Sequence, residues 1–329
     1  MGHTQMDRRQ FLGVVCSTAV LLPLTVYAQK LGRSPRIGYL SPARLPQLLE
    51  ALHDGLRELG YIEGQNIVFD YRFAEGQAKT LDELAAELVR LGPDVIVTVA
   101  SGSALAAKRA TSTIPIVMAT VGEPVGIGLV SGLARPGGNI TGVTLYGSDL
   151  AWKRLELLKE AIPGVRRIAL LGNIANPFSA FSWNEIQPAG PSLGLELRLF
   201  TISELGELPA TFAAIKGNGS DALFVLSDAL FNAARQQIVR LVAQHRLPSM
   251  FIFKPWTLAG GLMSYGADNV AMYTQGANVV AKILRGAKAA DLPIELPTKF
   301  DFAVNLKTAK AIGVELPTSI LLRANEVIE

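Results

Sequence analysis

The sequence is poor in the residues that build disulfides and transition-metal sites. It contains one cysteine, Cys16, and three scattered histidines, His3, His53 and His245. A disulfide framework and a cysteine metal site are therefore excluded, and a zinc enzyme is not expected. We expect the protein to hold no metal and no cofactor.

The chain also lacks a strong excess of charge of either sign. Its net charge is +3 over 329 residues, without a basic run or a basic-aromatic stripe, so nucleic acid is not an expected partner. Hydrophobic residues make up 49% and charged residues 18%. This composition is typical of a globular chain that can bury a large core, and the length suits two domains.

Apolar runs that approach the length of a membrane span are confined to the N-terminus. Residues 7–28 join a paired-arginine start to an apolar core and a Val-Tyr-Ala end, which predicts an export signal cleaved after Ala28. Polar residues and a proline interrupt the core, so it is too short and too polar for a membrane span. The order Arg8-Arg9-Gln10-Phe11-Leu12 resembles a twin-arginine signal, and an ordinary secretory signal is the alternative. Either route predicts a periplasmic protein.

From Pro35 onwards, apolar runs of strand length alternate with segments of helical periodicity. Consecutive strand–helix–strand units cross over right-handed, which makes their sheets parallel. The pattern starts again after about residue 145. We therefore predict an α/β fold with two doubly wound parallel-sheet lobes, residues 35–145 and residues 146–294.

The C-terminal tail breaks this alternation. Ala290–Phe300 contains Pro293 and Pro297 and is predicted to be extended, and a strand follows at Asp301–Asn305. We expect residues from about 295 to 329 to return to the first lobe. The lobes would then be joined by a multi-strand hinge that can close on a ligand.

One stretch, Pro115–Val143, is predicted to hold half of a ligand site. Its buried strand is followed by the turn Gly122-Glu123-Pro124, at the carboxyl end where open α/β sheets bind ligands. A short helix and a break at Arg135–Gly138 are expected next. We predict that the chain leaves the first lobe at this break.

With these segments laid out, the chain resembles the solute-binding components of ABC importers, in the group whose aromatic members bind tryptophan or phenylalanine. The matching stretches are GEPVGIGLVSGLARPGGNITGV, LGNIANPFS, LFVLSDALF, AGGLMSYGAD and PTKFDFAVNLKTAKAIGVELPTSILLRANEVIE. The resemblance implies a type I periplasmic binding protein fold, three hinge crossings, a small-molecule solute in the cleft, and delivery to an ABC permease with its ATPase. The aromatic members tend to carry Asp-Asn where this chain has Asp228-Ala229, which places amino-acid specificity in question.

Candidate ligand residues lie on loops after strand ends and at helix N-termini, where free N–H groups can bind anions. The first-lobe candidates are Ser41, Ala43, Ser101, Ser103, Gly122 and Glu123, with Tyr146 near the hinge. The second-lobe candidates are Asn173, Asn176, Ser179, Asp228, Lys254 and Asp268.

Each candidate has a structural alternative. The serines, Asn176 and Asp228 could simply cap helices, and Glu123 and Lys254 could be solvated surface residues. Phe178, Trp256 and Tyr265 could stack on an aromatic ligand or belong to the core.

The alternatives to a binding protein are an enzyme and a sensor. For an enzyme, the glycines at 126, 128 and 132 miss the dinucleotide spacing by one position, and neither a Ser-His-Asp set nor a Gly-x-Ser-x-Gly elbow is present. For a sensor, a periplasmic ligand-sensing subunit stays open beside transport. We expect a monomeric binding protein without catalytic activity.

Overall fold

Two β-sheets organise the chain. The computed structural model describes residues 33–75, 80–145 and 148–329, and Pro35–Glu329 forms one compact unit. The α/β class and the two lobes of mainly parallel sheet are confirmed. Hydrophobic clusters cover both faces of each sheet.

The first sheet has five parallel strands in the order β2-β1-β3-β4-β5. Its strands are β1 (Arg36–Ser41), β2 (Val68–Phe73), β3 (Val95–Val99), β4 (Ile116–Val121) and β5 (Ile140–Thr144). The helices that connect the first four strands are α1 (Pro46–Glu58), α2 (Leu81–Arg90) and α3 (Ala100–Ala110).

The sequence of this lobe explains its elements. Strand β3 reads VIVTV and is buried at every position, as a β-branched strand covered on both faces should be. In α1 the buried residues Leu48, Leu52 and Leu56 recur every four positions, so one apolar face of the helix packs on the sheet.

The second sheet has seven strands in the order β12-β11-β10-β9-β8-β6-β7. They are β6 (Arg167–Asn173), β7 (Glu196–Ile202), β8 (Ala222–Val225), β9 (Ser249–Phe251), β10 (Met263–Ala267), β11 (Phe300–Asn305) and β12 (Glu326–Ile328). The remaining helices are α4 (Ser148–Ala161), α5 (Pro177–Ile186), α6 (Ala189–Leu193), α7 (Leu208–Gly217), α8 (Ala229–Ala233), α9 (Arg235–Gln244), α10 (Lys254–Leu258), α11 (Asn269–Leu284), α12 (Leu306–Ile312) and α13 (Thr318–Arg323). All pairs are parallel except β10–β11.

The chain passes between the two lobes three times. It leaves the first sheet after β5, and it returns with α11, which packs on α1 so closely that a Cβ built on Gly55 would lie 2.8 Å from the Ala277 Cβ. The extended segment that follows runs beside β5, where Glu295 N donates to Gly142 O at 2.8 Å and Thr141 Oγ1 donates to Leu292 O at 2.9 Å. The third pass leads into β11.

The prediction that residues from about 295 onwards belong to the first lobe is therefore wrong. Strand β11 pairs with β10, and β12 pairs with β11, so both complete the second sheet. It is α11 and the residues up to 295 that lie on the first lobe, although they were predicted in the second. Hydrophobic periodicity shows which face of an element is buried, and it carries no information on which sheet covers that face.

The stretch after β4 also differs from its prediction. Residues 124–128 form turns rather than a helix, with Leu129 N donating to Pro124 O at 2.8 Å. The break at Arg135–Gly138 does not end the lobe, because it leads into β5. Three glycines within seven residues (Gly126, Gly128 and Gly132) disfavour a helix there.

A 3₁₀ turn at Leu205–Glu207 precedes α7. The Glu207 carboxylate accepts hydrogen bonds from Ser203 N at 3.0 Å, Ser203 Oγ at 2.6 Å and Glu204 N at 2.9 Å. The bond from the Ser203 hydroxyl, with the two backbone donors, lowers the pKa of Glu207 below its usual value.

Within the described residues, none of the helices has both the length and the apolar character needed to cross a bilayer. The predicted export signal, residues 1–28, lies outside the described residues.

Candidate functional site

A cleft lies where the carboxyl ends of the strands of both sheets meet. Residues that follow β3, β4, β6, β8, β9 and β10 line it, as expected for ligand sites in open α/β sheets. The lining residues are Leu45, Leu48, Val99, Ala100, Ser101, Thr120, Gly122, Leu145, Asn176, Phe178, Ser227, Asp228, Ala229, Asn232, Phe253 and Asn269. One side of this set is apolar, and the other is made of amides, hydroxyls and a single carboxylate.

Asp228 organises the polar side. Its Oδ1 accepts hydrogen bonds from Leu230 N at 2.8 Å and Phe231 N at 3.1 Å, which confirms the predicted cap of α8. Its Oδ2 accepts from Asn176 Nδ2 at 2.9 Å and Asn173 Nδ2 at 3.1 Å. Three residues that the sequence singled out are thus brought together into one corner of the cleft.

The surroundings of this carboxylate act on its proton affinity in opposite directions. Burial raises the pKa of Asp228 above its usual value, because the charged form loses hydration, while the four hydrogen bonds lower it. Both oxygens already accept two bonds each, which is close to the full capacity of a carboxylate. Asp228 therefore gives the corner its shape and negative potential, and leaves little room for another donor.

Asn176 and one further predicted residue, Ser179, tie this corner to α5. Asn176 caps α5, with its side chain accepting from Phe178 N at 3.0 Å. Ser179 Oγ accepts a hydrogen bond from Asn173 N at 3.2 Å and is itself buried. Ser179 thus supports the corner from behind rather than lining the cleft.

Asn232 lines the same corner and was missed by the sequence reasoning. Its Oδ1 is buried and has no hydrogen-bond partner among the described residues, so it is an unsatisfied acceptor on a residue that lines the cleft. It follows Asp228 by four residues, one helical turn, and that spacing was the available signal. The helical segment that Asp228 caps is interrupted at Ala234, which divides it into α8 and α9.

The first lobe contributes the N-terminus of α3. Ala100, its first residue, has a φ of 62°, in the left-handed region that non-glycine residues avoid. Ser101 lines the cleft, and its Oγ contacts Gly122 O at 3.5 Å. Neither Ser101 nor Ser103 caps the helix, since its N-cap position is Val99. Ser103 is buried below the cleft and does not line it.

The two lobes touch across the cleft through an aromatic–glycine contact. Phe178 at the start of α5 is 7% exposed, and a Cβ built on Gly122 would lie 2.3 Å from its Cε2. Phe181 lies equally close to Gly126, where a built Cβ would be 2.3 Å from the ring. Such distances are possible only because both positions are glycine. The structure is therefore that of the closed lobes.

Four candidates make local contacts instead of lining the cleft. Ser41 Oγ donates to Ala43 O at 2.7 Å, and both residues are buried at the end of β1. Lys254 begins α10 and pairs with Glu326 on β12 at 3.1 Å. Asp268 caps α11 and lies 3.5 Å from Lys299 Nζ, while its neighbour Asn269 lines the cleft.

The last candidates and the aromatic residues are placed as follows. Glu123 has a φ of 45° in the turn beside the cleft and does not line it, and Tyr146 lies outside the described residues. Trp256 stacks on Phe251 in the core, with ring centroids 4.7 Å apart. Of the aromatic candidates, Phe178 is the one that lines the cleft.

Across the ranges that the structure describes, no group of three or more His, Cys, Asp or Glu side chains could hold a metal ion. Asp228 is the one ionisable side chain among the residues that line the cleft. The site thus offers hydrogen bonds, one negative charge and an apolar wall.

Comparison with known proteins decides the family. The family model described as ABC transporter substrate binding protein matches residues 40–328. The chain belongs to this family. The expected resemblance is thereby confirmed, over nearly the whole described chain.

Three relatives of this substrate-binding protein show how far the likeness extends. A tyrosine-binding protein from Clostridioides difficile is 26% identical over 260 residues, which cover 79% of this chain and 74% of the relative. A conserved domain protein from Vibrio cholerae is 28% identical, with a TM-score of 0.84 over 90% of this chain and 100% of that one. An ABC domain in complex with L-Trp from Streptococcus pneumoniae is 27% identical, with a TM-score of 0.82 over the same shares, 90% and 100%.

Proposed function

We propose that the protein is the solute-binding component of an ABC importer, and that it closes its two lobes on a small zwitterionic ligand, an amino acid or a related organic solute. The observation that carries the proposal is the cleft between the carboxyl ends of the two sheets, with a negatively charged corner on one side and apolar side chains on the other. The tyrosine-binding relative and the relative in complex with L-Trp support an amino acid as the ligand.

The ammonium group of such a ligand belongs beside Asp228. That carboxylate supplies the negative potential, and Asn232 Oδ1 supplies the unsatisfied acceptor. The ligand carboxylate belongs at the N-terminus of α3, where Ser101 and free backbone N–H groups lie. The side chain of the ligand would then lie against Phe178 and Phe253.

The ligand-binding residues that we propose are those that line the cleft at its polar corners. From the sequence-based candidates we retain Ser101, Gly122, Asn176 and Asp228, with Asn173 and Ser179 supporting the corner. We add Asn232 and Phe178 to this set. Catalysis is not part of the proposal.

The cellular setting that we propose follows from the family and from the N-terminal sequence. The chain would be exported by a signal cleaved after Ala28, act in the periplasm as a monomer, and deliver its ligand to a membrane permease whose ATPase drives uptake. Uptake of the labelled ligand by cells with and without the protein tests this role. A sensing subunit would leave uptake unchanged and alter a ligand response instead.

A thermal-shift screen against amino acids, aromatic acids and other small metabolites tests binding. A ligand that binds only the folded state adds about 2.7 kcal/mol at one hundred times its dissociation constant, so a true ligand gives a clear rise in Tm. Asp228→Asn should abolish the shift, and Asp291→Asn, an exposed carboxylate outside the cleft, should keep it. If the folded protein shows no shift with any compound, or Asp228→Asn binds like the wild type, the proposal fails.

A further inference from the structure

A second, smaller space opens beside the cleft. This crevice lies between α4, α5 and the end of β8. Its lining includes Arg154, Ser182, Glu185 and Phe224, and it shares Phe178 and Ser227 with the cleft. The two spaces are therefore neighbours that share Phe178 and Ser227.

Arg154 is the unusual residue of the crevice, because it is a cation that is 4% exposed. Its Nε donates to Leu150 O at 3.0 Å, within its own helix. Its Cζ lies 5.5 Å from the centroid of the Phe224 ring, which provides a cation–π contact. Among the described residues, its hydrogen-bond acceptor is Leu150 O alone, Tyr265 interacts with it electrostatically, and none of the carboxylates lies within ion-pair distance.

Such an arrangement is unfavourable unless an anion completes it. A buried charge is normally paired, since burial removes its hydration. Burial lowers the pKa of Arg154 to about 10, so the guanidinium stays protonated at neutral pH. Glu185 is exposed at the edge of the crevice and forms no ion pair with it, and Asp228 is saturated by four donors of its own. The planar donor fork of Arg154 is thus open towards the crevice, and it matches the geometry of a carboxylate.

We propose that the crevice is the distal part of the binding cleft, and that Arg154 there binds a carboxylate carried by the far end of the ligand. The ligand class becomes an amino acid or organic acid with a second, acidic group. This inference rests on the proposed function, because it extends the same cleft. The ligand would pass the Phe178 ring, and the apolar part of its chain would contact that ring.

Matched pairs of probes test the inference on the wild-type protein. Isothermal titration compares L-glutamate with L-glutamine, and 4-carboxy-L-phenylalanine with L-phenylalanine. The members of each pair differ by one negative charge at the far end. The two pairs differ in the distance between that end and the amino-acid group. We expect the acid of at least one pair to bind about tenfold tighter than its neutral partner, or more.

Variants of Arg154 then assign the preference. Arg154→Met keeps a long apolar side chain and should weaken binding of the preferred acid by about thirtyfold or more, while binding of the neutral partner stays unchanged. Arg154→Lys keeps the positive charge but lacks the planar guanidinium donors. Its affinity for the preferred acid should lie between those of the wild type and Arg154→Met. The Tm of ligand-free Arg154→Met should equal or exceed that of the wild type, because an unpaired buried charge has been removed.

Three results would overturn the inference. The first is equal binding of acid and neutral probes in both pairs, which would leave the proposed function intact. The second is an acid preference that persists in Arg154→Met, since another donor would then hold the carboxylate. The third is no binding of either acid, in which case the wider thermal-shift screen decides the proposed function separately.

Discussion

Replacing Gly122 by alanine is the most direct test of the closed arrangement. A Cβ at this position would lie 2.3, 2.5 and 2.6 Å from three atoms of the Phe178 ring. Carbon atoms at rest are 3.5–4.0 Å apart, so the ring or the turn must move. Phe178 is held at the start of α5, and its side chain is 7% exposed, so the ring has little free space.

The substitution Gly122→Ala should destabilise the closed state and leave the open state unaffected. Overpacking of a well-packed contact costs about 1–3 kcal/mol, and Gly122 and Phe178 belong to different lobes, so they separate when the lobes open. The backbone of Gly122 lies outside the left-handed region, which means that alanine adds no strain of its own. Ligand affinity should therefore fall by about five- to 150-fold, while the stability of each lobe is unchanged.

Calorimetry with a ligand from the screen measures the affinity, and small-angle scattering reports whether the lobes close at saturating ligand. Gly132→Ala is the matched control, because a Cβ there meets no atom of the described residues within 4 Å. Phe178→Ala provides the second side of a double-mutant cycle. In that background the additional change at Gly122 should have no further effect.

Two results would refute this reasoning. Wild-type affinity in Gly122→Ala would mean that the contact does not form in the liganded protein. An undiminished loss in the Phe178→Ala background would mean that the added methyl group acts on something other than this ring.

The other predictions concern the neighbouring contact, the unsatisfied acceptor and a helix cap. Gly126→Ala should weaken binding less, because Phe181 is only partly buried and its ring can move; the same calorimetry measures this, and a larger loss contradicts it. Asn232→Ala should weaken ligand binding without lowering the Tm of the ligand-free protein, since it removes an unsatisfied buried oxygen; a lower Tm would indicate a structural role. Folding lowers the pKa of Glu207. The ionised Glu207 side chain therefore stabilises the folded protein above the ordinary carboxyl pKa, and this stabilisation is lost as the pH falls through the pKa of Glu207 in the folded state. Urea unfolding should thus show Glu207→Gln less stable than the wild type near neutral pH, with the difference shrinking as the pH falls below the ordinary carboxyl pKa, and with the exposed Glu315→Gln unchanged throughout.

The elements of this fold could be predicted because their patterns are local. Strand β3 is apolar at nearly every position, and Asn176 and Asp228 are short polar residues directly before helices. The corner of the cleft also followed from the sequence, since it is made of such caps at strand ends. The topology of the last third could not be predicted in this way. Helix α11 and strand β11 are adjacent in sequence and serve different lobes, and only long-range packing decides this.

The contacts that make the cleft specific left no comparable trace in the sequence. Arg154 lies in an amphipathic helix among Lys153 and Glu156, where a charged residue is ordinarily solvated. Gly122 looks like a turn residue until the Phe178 ring is placed against it. The burial of Arg154 and the contact of Gly122 with Phe178 both depend on residues that are distant in sequence. Neither spacing nor composition could therefore reveal them.

Ala229 indicates where part of the free energy of closure comes from. It begins α8 of the second lobe, yet it is 8% exposed and packs in a cluster with first-lobe residues that include Val99 and Ala119. With the Phe178–Gly122 contact, this burial favours the closed lobes independently of any ligand. The apparent dissociation constant is the intrinsic one divided by the fraction of closed protein. The ligand therefore needs to supply less of the free energy that closes the lobes. Asp228 has its four donors within its own lobe, so in the proposed binding mode it acts on the ligand ammonium through its negative potential. Among the described residues, the further selectivity would come from Asn232 Oδ1, the start of α3 and the Arg154 guanidinium.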